Sequence, residues 1–193
     1  MTEEKDDIGI SKREHLKDYT TTARSEYSES SLKTIKLMVN GATYALMEGR
    51  DIKPHHTLLY TLRETLNLTG TKISCDYGGC GRCVVLIDGK PALSCLLLSV
   101  DCIGKNITTI EGLCLEGKLD PVQQAFFDYS ALQCGICTPS QILEIKALLE
   151  KYPKPTEDQI REAISPTICR CGGPYKLVVE AILAIAEADY KNG

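Results

Sequence analysis

The stretch CDYGGCGRC, residues 75–83, decides how the rest of the chain reads. Its cysteines, Cys75, Cys80 and Cys83, follow the pattern C-x4-C-x2-C, and Cys95 comes later with eleven residues between. Three thiols so spaced, with a distant fourth, are the ligand pattern of a plant-type 2Fe–2S centre. Four-cysteine zinc sites usually come as two C-x2-C knuckles, which this stretch does not form. Gly78, Gly79 and Gly81 stand between the cysteines, where the missing side chains let backbone N–H groups approach sulfur closely. A flexible turn would also accept glycine, but three glycines interleaved with three cysteines favour the nest. Arg82 lies beside two candidate ligands, where it either offsets the charge of a centre or faces solvent or a partner.

The whole chain holds ten cysteines and three histidines in 193 residues, so the thiols dominate its chemistry. A second group is made of Cys134-x2-Cys137 and, on a later segment, Cys169-x-Cys171. On spacing alone this group suits zinc or a two-iron centre. Cys102 and Cys114 fit neither group and are expected to be small buried apolar residues. Disulfides need an oxidising compartment. The N-terminus, MTEEKDDIGISKREHLKDY, shows no apolar h-region and no twin arginine, so a cytoplasmic location is expected and disulfides are the least favoured reading.

Downstream of the cysteine loop, Val84–Ile87 is a short apolar strand, Asp88-Gly89 a hairpin turn and Ala92–Leu97 the return strand. A two-residue turn there sets residue 83 opposite residue 94, one step from Cys95. Strict pairing would send Cys83 and Cys95 to opposite faces, so a loose ladder or a bulge is expected. Upstream, Ile35, Leu37 and Val39 alternate before Asn40-Gly41, and Thr34–Met47 reads as a hairpin with a type I′ turn. Leu58, Leu59, Leu62 and Leu66 predict a helix over Thr57–Leu66, followed by a loop over Thr69–Gly81. Ile107–Ile110 can add a last strand. Together these make an α+β unit of about 80 residues, an ordinary domain size.

After Glu111 the pattern turns helical. Asp120 before Pro121 is an N-cap signal, and Val122, Ala125, Phe126 and Tyr129 mark one apolar face. Thr138-Pro139 repeats that signal before Ser140–Tyr152, and Thr156 with Gln159 predicts a capping box for a helix to about Ser165. A last helix is expected from Tyr175 to about Tyr190. Four helices suggest a small bundle. Each pair of the second cysteine group precedes a helix, where free amides and the positive dipole end favour thiolate.

Residues 1–31 carry eight acidic residues, five basic ones and nine Ser or Thr, too polar a mixture to bury much surface. They read as a tail. Ile8, Ile10, Leu16, Tyr19 and Tyr27 lean it towards an arm that docks on a partner subunit.

The remaining composition excludes several classes. A net charge of −4, no tryptophan and two phenylalanines argue against nucleic-acid binding. No apolar run approaches the ~20 residues of a membrane span, so no membrane insertion is expected. Neither G-x-G-x-x-G nor a P-loop occurs, so FAD, NAD and ATP are not expected on this chain. No catalytic triad stands out, and His55 and His56 read as loop or cap residues, so no catalytic residue is assigned. A zinc-stabilised interaction module and a stand-alone ferredoxin are the rival readings.

CDYGGCGRC (75–83) with Cys95, then QCGICTP (133–139) and ICRC (168–171), resembles the small iron–sulfur subunit of the molybdenum hydroxylases, the relatives of xanthine dehydrogenase, aldehyde oxidoreductase and carbon monoxide dehydrogenase. TLRETLNLTGTKISC (61–75) and ITTIEGL (107–113) are similar to the family's flanking text. The resemblance implies a β-grasp, plant-ferredoxin-like domain over 32–112 and a four-helix-bundle domain over 115–193. It implies two 2Fe–2S clusters. Cys134, Cys137, Cys169 and Cys171 would hold the one nearest a molybdenum–pterin cofactor on a large partner subunit. Cys75, Cys80, Cys83 and Cys95 would hold the one nearer FAD on a medium partner subunit. Gln133 and Cys171 match positions that lie against the pterin. The chain departs from the family after its C-R-C, where Gly172-Gly173-Pro174-Tyr175 stands for the usual Thr-Gly-Tyr.

Overall fold

The computed structural model describes residues 33–173 and 175–187. The expected tail over 1–31, and the stretch of the last helix beyond residue 187, lie outside the described residues.

The first half is built on a mixed five-stranded sheet. Its strands are β1 (Thr34–Val39), β2 (Ala42–Met47), β3 (Val84–Ile87), β4 (Lys90–Leu93) and β5 (Asn106–Thr108), in the order β2-β1-β5-β3-β4. Asn40 and Gly41 both have positive φ, 53° and 76°, as a type I′ turn requires, and Val39 pairs with Ala42 across it. β1 buries Ile35, Leu37 and Val39 on one face, which fixes its register. β5 returns parallel to β1 and antiparallel to β3, so the two hairpins become one sheet.

Helix α1 (Leu58–Tyr60) starts at Thr57, whose hydroxyl accepts the Tyr60 N–H at 3.2 Å. It continues as a wide π turn over Thr61–Thr65, closed by Leu66 N–H to Thr61 O at 3.0 Å. Leu58 and Leu62 enter the sheet's core, while Leu59 packs with Cys83 and Cys95.

Two expected strands are shorter than the sequence suggested. β4 ends at Leu93 because the N–H and hydroxyl of Ser94 both donate to Cys83 O, at 3.2 and 2.6 Å, and turn the chain into a 3-10 turn over Ser94–Leu96. That turn resolves the parity conflict: Cys95 leaves the ladder and meets Cys83. β5 stops at Thr108 because the Thr109 N–H is taken by the Asn40 side chain at 2.8 Å. A 3-10 turn over Ile110–Leu113 follows.

The second half holds α2 (Pro121–Asp128), α3 (Thr138–Lys151), α4 (Glu157–Ile164) and α5 (Tyr175–Glu187). The expected capping box forms at Thr156, and the expected N-cap at Asp120 proves to be a capping box too. Asp120 Oδ1 accepts from Val122 N and Gln123 Oε1 from Asp120 N; Thr156 and Gln159 exchange the corresponding bonds. Asp120 also reaches Lys146 at 2.7 Å, tying α2 to α3. The α3 start differs from expectation: Cys137 is the N-cap, with no side-chain cap bond, and Thr138 is already helical. α3 packs on α4, α2 on α5 and α4 on α5 around Phe126, Ile145, Leu149, Ile160 and Ile182.

The halves share a core. Val84 and Leu86 of β3 join the helical cluster, whereas Val85 points into the sheet's own cluster. A strand buried on both faces explains why residues 84–87 are all apolar. Cys102 is buried as expected, but Cys114 is exposed: it follows the Ile110–Leu113 turn and begins the surface connection to α2.

Candidate metal centres

The first centre is made by the loop 75–83 and the turn after β4. Asp76, Gly78 and Gly81 have positive φ, which coils the loop so that successive N–H groups face inward. Amides of Tyr77, Gly79 and Cys80 point at the Cys75 sulfur, and the Tyr77 amide does most to lower its pKa to about 7. Cys95 is different. Burial, with the neighbouring Cys83 thiol, pushes it up to about 12, against a bond from the Gly78 amide.

The second centre joins the loop before α3 to the loop before α5. The Ile136 amide, then the thiol of Cys171, hold Cys134 below the usual thiol range, and the Arg82 charge adds to this. Burial first, and the Cys169 thiol second, push Cys137 up to about 12. Cys171 is raised chiefly by the Cys134 thiol, with a bond from the Cys134 amide opposing.

The thiols of each centre meet as two pairs. Cys75 contacts Cys80 and Cys83 contacts Cys95; Cys134 contacts Cys171 and Cys137 contacts Cys169. A tetrahedral zinc needs four sulfurs equally close to one ion. A two-iron core takes two thiolates on each iron, so its sulfurs form two pairs across the core. The charges fit as well. Four adjoining thiols, three of them buried in the first centre and one in the second, cannot all ionise against one another without a cationic core.

The centres adjoin at one seam. Ile168 N–H donates to Cys80 O at 2.9 Å, and Arg82 Nε donates back to Ile168 O at 2.9 Å. Thr167 Oγ1 lies 3.2 Å from Gly81 O and 2.9 Å from Glu144 Oε1 of α3. Gly81 permits this: a Cβ there would meet the Pro166 carbonyl and lie 2.8 Å from Thr167 Cα.

All eight candidate ligands therefore fall into the two expected groups. Gln133 is exposed beside Cys134, and Cys171 is exposed at the rim of the second centre. His55 and His56 meet edge to face in the loop before α1, where His56 Nδ1 accepts the Lys53 N–H at 3.3 Å. They line a cleft of about 460 Å³ beside the first centre rather than on its cysteines. Thr167 and Glu144 were not foreseen. The available signal was a carboxylate between Leu143 and Ile145, on a helix turn with little solvent face.

Family models agree with this layout. A [2Fe-2S] binding domain matches residues 109–183 and a 2Fe-2S iron-sulfur cluster binding domain matches residues 48–101. The chain is 40% identical to the nicotine 6-hydroxylase small subunit of Paenarthrobacter nicotinovorans, over 86% of this chain and 98% of that one. It is 37% identical to the aldehyde oxidoreductase iron-sulfur-binding subunit PaoA of Escherichia coli, over 91% and 88% of the two chains. Quinoline 2-oxidoreductase from Pseudomonas putida 86 superposes with a TM-score of 0.76 at 40% identity, over 83% of this chain and 98% of that one. Paired thiols in two adjoining loops, two 2Fe–2S domain models and relatives matched over nearly their whole length have one common explanation: the chain belongs to the small iron–sulfur subunits of the molybdenum hydroxylases.

Proposed function

We propose that this chain carries electrons between two partner subunits of a molybdenum-containing oxidoreductase. In this reading Cys134, Cys137, Cys169 and Cys171 ligate the 2Fe–2S cluster nearer a molybdenum–pterin cofactor on a large subunit, with Gln133 and Cys171 against the pterin. Cys75, Cys80, Cys83 and Cys95 ligate the cluster nearer FAD on a medium subunit. Residues 32–112 form the β-grasp, plant-ferredoxin-like domain and 115–193 the four-helix bundle. When bound, each cluster takes up and releases one electron. The chain supplies the thiolate cradles, the amides that face sulfur, and the seam that keeps the two cradles adjacent.

The observation that carries this reading is the grouping of eight thiols into two sets of two pairs at one seam. Two apolar rims support partners on separate sides. Ile73, Tyr77 and Leu96 are exposed around the first centre, and Leu132, Ile136 and Ile168 around the second. Scattered exposed apolar residues are ordinary, but rings of them around both centres suit docking surfaces.

Low-temperature EPR with spin quantitation on anaerobically purified, dithionite-reduced protein tests it. Two distinct 2Fe–2S signals of about one spin each are expected. Cys171→Ser should damage one signal and cut turnover with a flavin-side acceptor. A colourless protein holding stoichiometric zinc would overturn the reading.

A further inference from the structure

Arg82 belongs by sequence to the first centre, between Cys80 and Cys83, yet its side chain serves the second. Its Nε donates to Ile168 O at 2.9 Å and its Nη1 to Ser74 Oγ at 3.0 Å. Both acceptors are neutral. Among the described residues no carboxylate pairs with it, although the side chain is half-buried. It lines a cavity of about 110 Å³ with Cys134, Ile136, Cys137, Ile168, Cys169 and Arg170. Arg170 borders the same cavity but is exposed and has no hydrogen bond among the described residues.

A guanidinium cannot shed its proton, so burying it without an anion costs free energy. The anionic group within its reach is the second set of thiolates. An oxidised 2Fe–2S core with four thiolates carries about −2, and reduction takes this to about −3. A fixed cation therefore stabilises the reduced state more than the oxidised one.

We propose that Arg82 sets the reduction potential of the helical-domain cluster, raising it from a position in the other domain's cysteine loop. It is a positioning residue for the electron: it touches no substrate and acts through the charge of the neighbouring centre. This rests on the ligand reading given above. Because the cavity it lines holds Cys134, Cys137 and Cys169 and none of the first centre's ligands, its charge acts less on the ferredoxin-like cluster. The electron is thus favoured on the helical side of the seam relative to a chain without the cation.

EPR-monitored redox titration of the full chain tests this in wild type, Arg82→Gln and Arg82→Lys. The helical-domain signal is identified as the one lost in Cys134→Ser. Two signals in wild type are the precondition, and their absence would refute the ligand reading itself. Gln retains a donor for Ile168 O and removes the charge. It should lower the reduced-to-oxidised ratio of the helical cluster about tenfold at a fixed potential, equal to about 59 mV for one electron. The other cluster should shift by less than half of that. Lys keeps the charge and loses the fork, so it should stay close to wild type. Wild-type potentials in Arg82→Gln would overturn the proposal. So would equal shifts in Gln and Lys, or equal movement of both clusters. If Arg82→Gln does not retain the helical cluster, Ser74→Ala replaces it: untethering the guanidinium should lower the same potential alone, and an unchanged potential there would overturn the proposal.

Discussion

Gly81 shows how one missing side chain joins two redox centres. Its φ of 72° is costly for any L-residue, and a Cβ would strike the Pro166 carbonyl and Thr167 Cα. Gly81→Ala must therefore separate the loops, stretching the bond of Ile168 N–H to Cys80 O and that of Thr167 Oγ1 to Gly81 O. A left-handed alanine costs roughly 1–2 kcal/mol, and overpacking adds roughly 1–3 kcal/mol. Gly89→Ala is the control, because Gly89 has a φ of 78° but nothing within 4 Å of the new Cβ. The apparent melting temperature, followed by visible absorbance of the holoprotein, should fall clearly more for Gly81→Ala. Equal losses would mean that the close approach contributes nothing. The sequence exposed Gly81 as part of a nest for sulfur. Its second role was not legible, because the atoms it must clear lie 85 and more residues away, on a loop that no local pattern pairs with it.

At the scale of elements, α3 carries the feature that local patterns described least well. Its apolar residues follow the sequence, but it starts one residue early, with Cys137 as the N-cap, and Ser140, Gln141 and Glu144 are buried with polar atoms that lack partners among the described residues. Glu144 lies where α3 meets the seam. Burial pushes its carboxyl from 4.5 to about 7, and the hydrogen bond from Thr167 opposes this. Thr167 has one hydroxyl proton and two acceptors beside it, Gly81 O and Glu144 Oε1. A neutral Glu144 resolves the competition by donating to Thr167, which then donates to Gly81. The folded pKa is raised, so the stability from neutral Glu144 is complete below about 4.5 and is lost as pH rises through about 7. The shift corresponds to roughly 3 kcal/mol at alkaline pH. Melting the holoprotein at pH 5 and at pH 8.5 should show wild type weakening at the higher pH, with Glu144→Gln nearly level. A flat wild-type profile would mean that the carboxyl ionises without cost. The N-cap at Asp120 and the capping box at Thr156 were legible because their chemistry lies within four residues. The end of β4 was not, since it depends on Ser94 bonding back to Cys83 O across the hairpin.

For the whole molecule, the question is whether two domain families make one folding unit. Their boundary was visible in the change from strand to helix patterns near residue 112, but their shared core was not, because a run of four apolar residues does not say what covers each face. β3 settles it by sending Val84 and Leu86 into the helical cluster while Val85 stays with the sheet. The seam of residues 80–82 with 167–168 adds hydrogen bonds between the same two halves. Leu86 is 5% exposed, and Leu86→Ala should cost roughly 2–5 kcal/mol. If the halves unfold together, both 2Fe–2S EPR signals will decline at the same, lowered denaturant concentration in this variant. Independent domains would separate the two declines, with the helical signal lost first because the cluster that Leu86 joins is made mostly of helical residues. Coincident loss has a functional consequence as well. A chain that passes electrons between two centres works only while both are in place, and a shared strand makes the half-intact molecule a rare species.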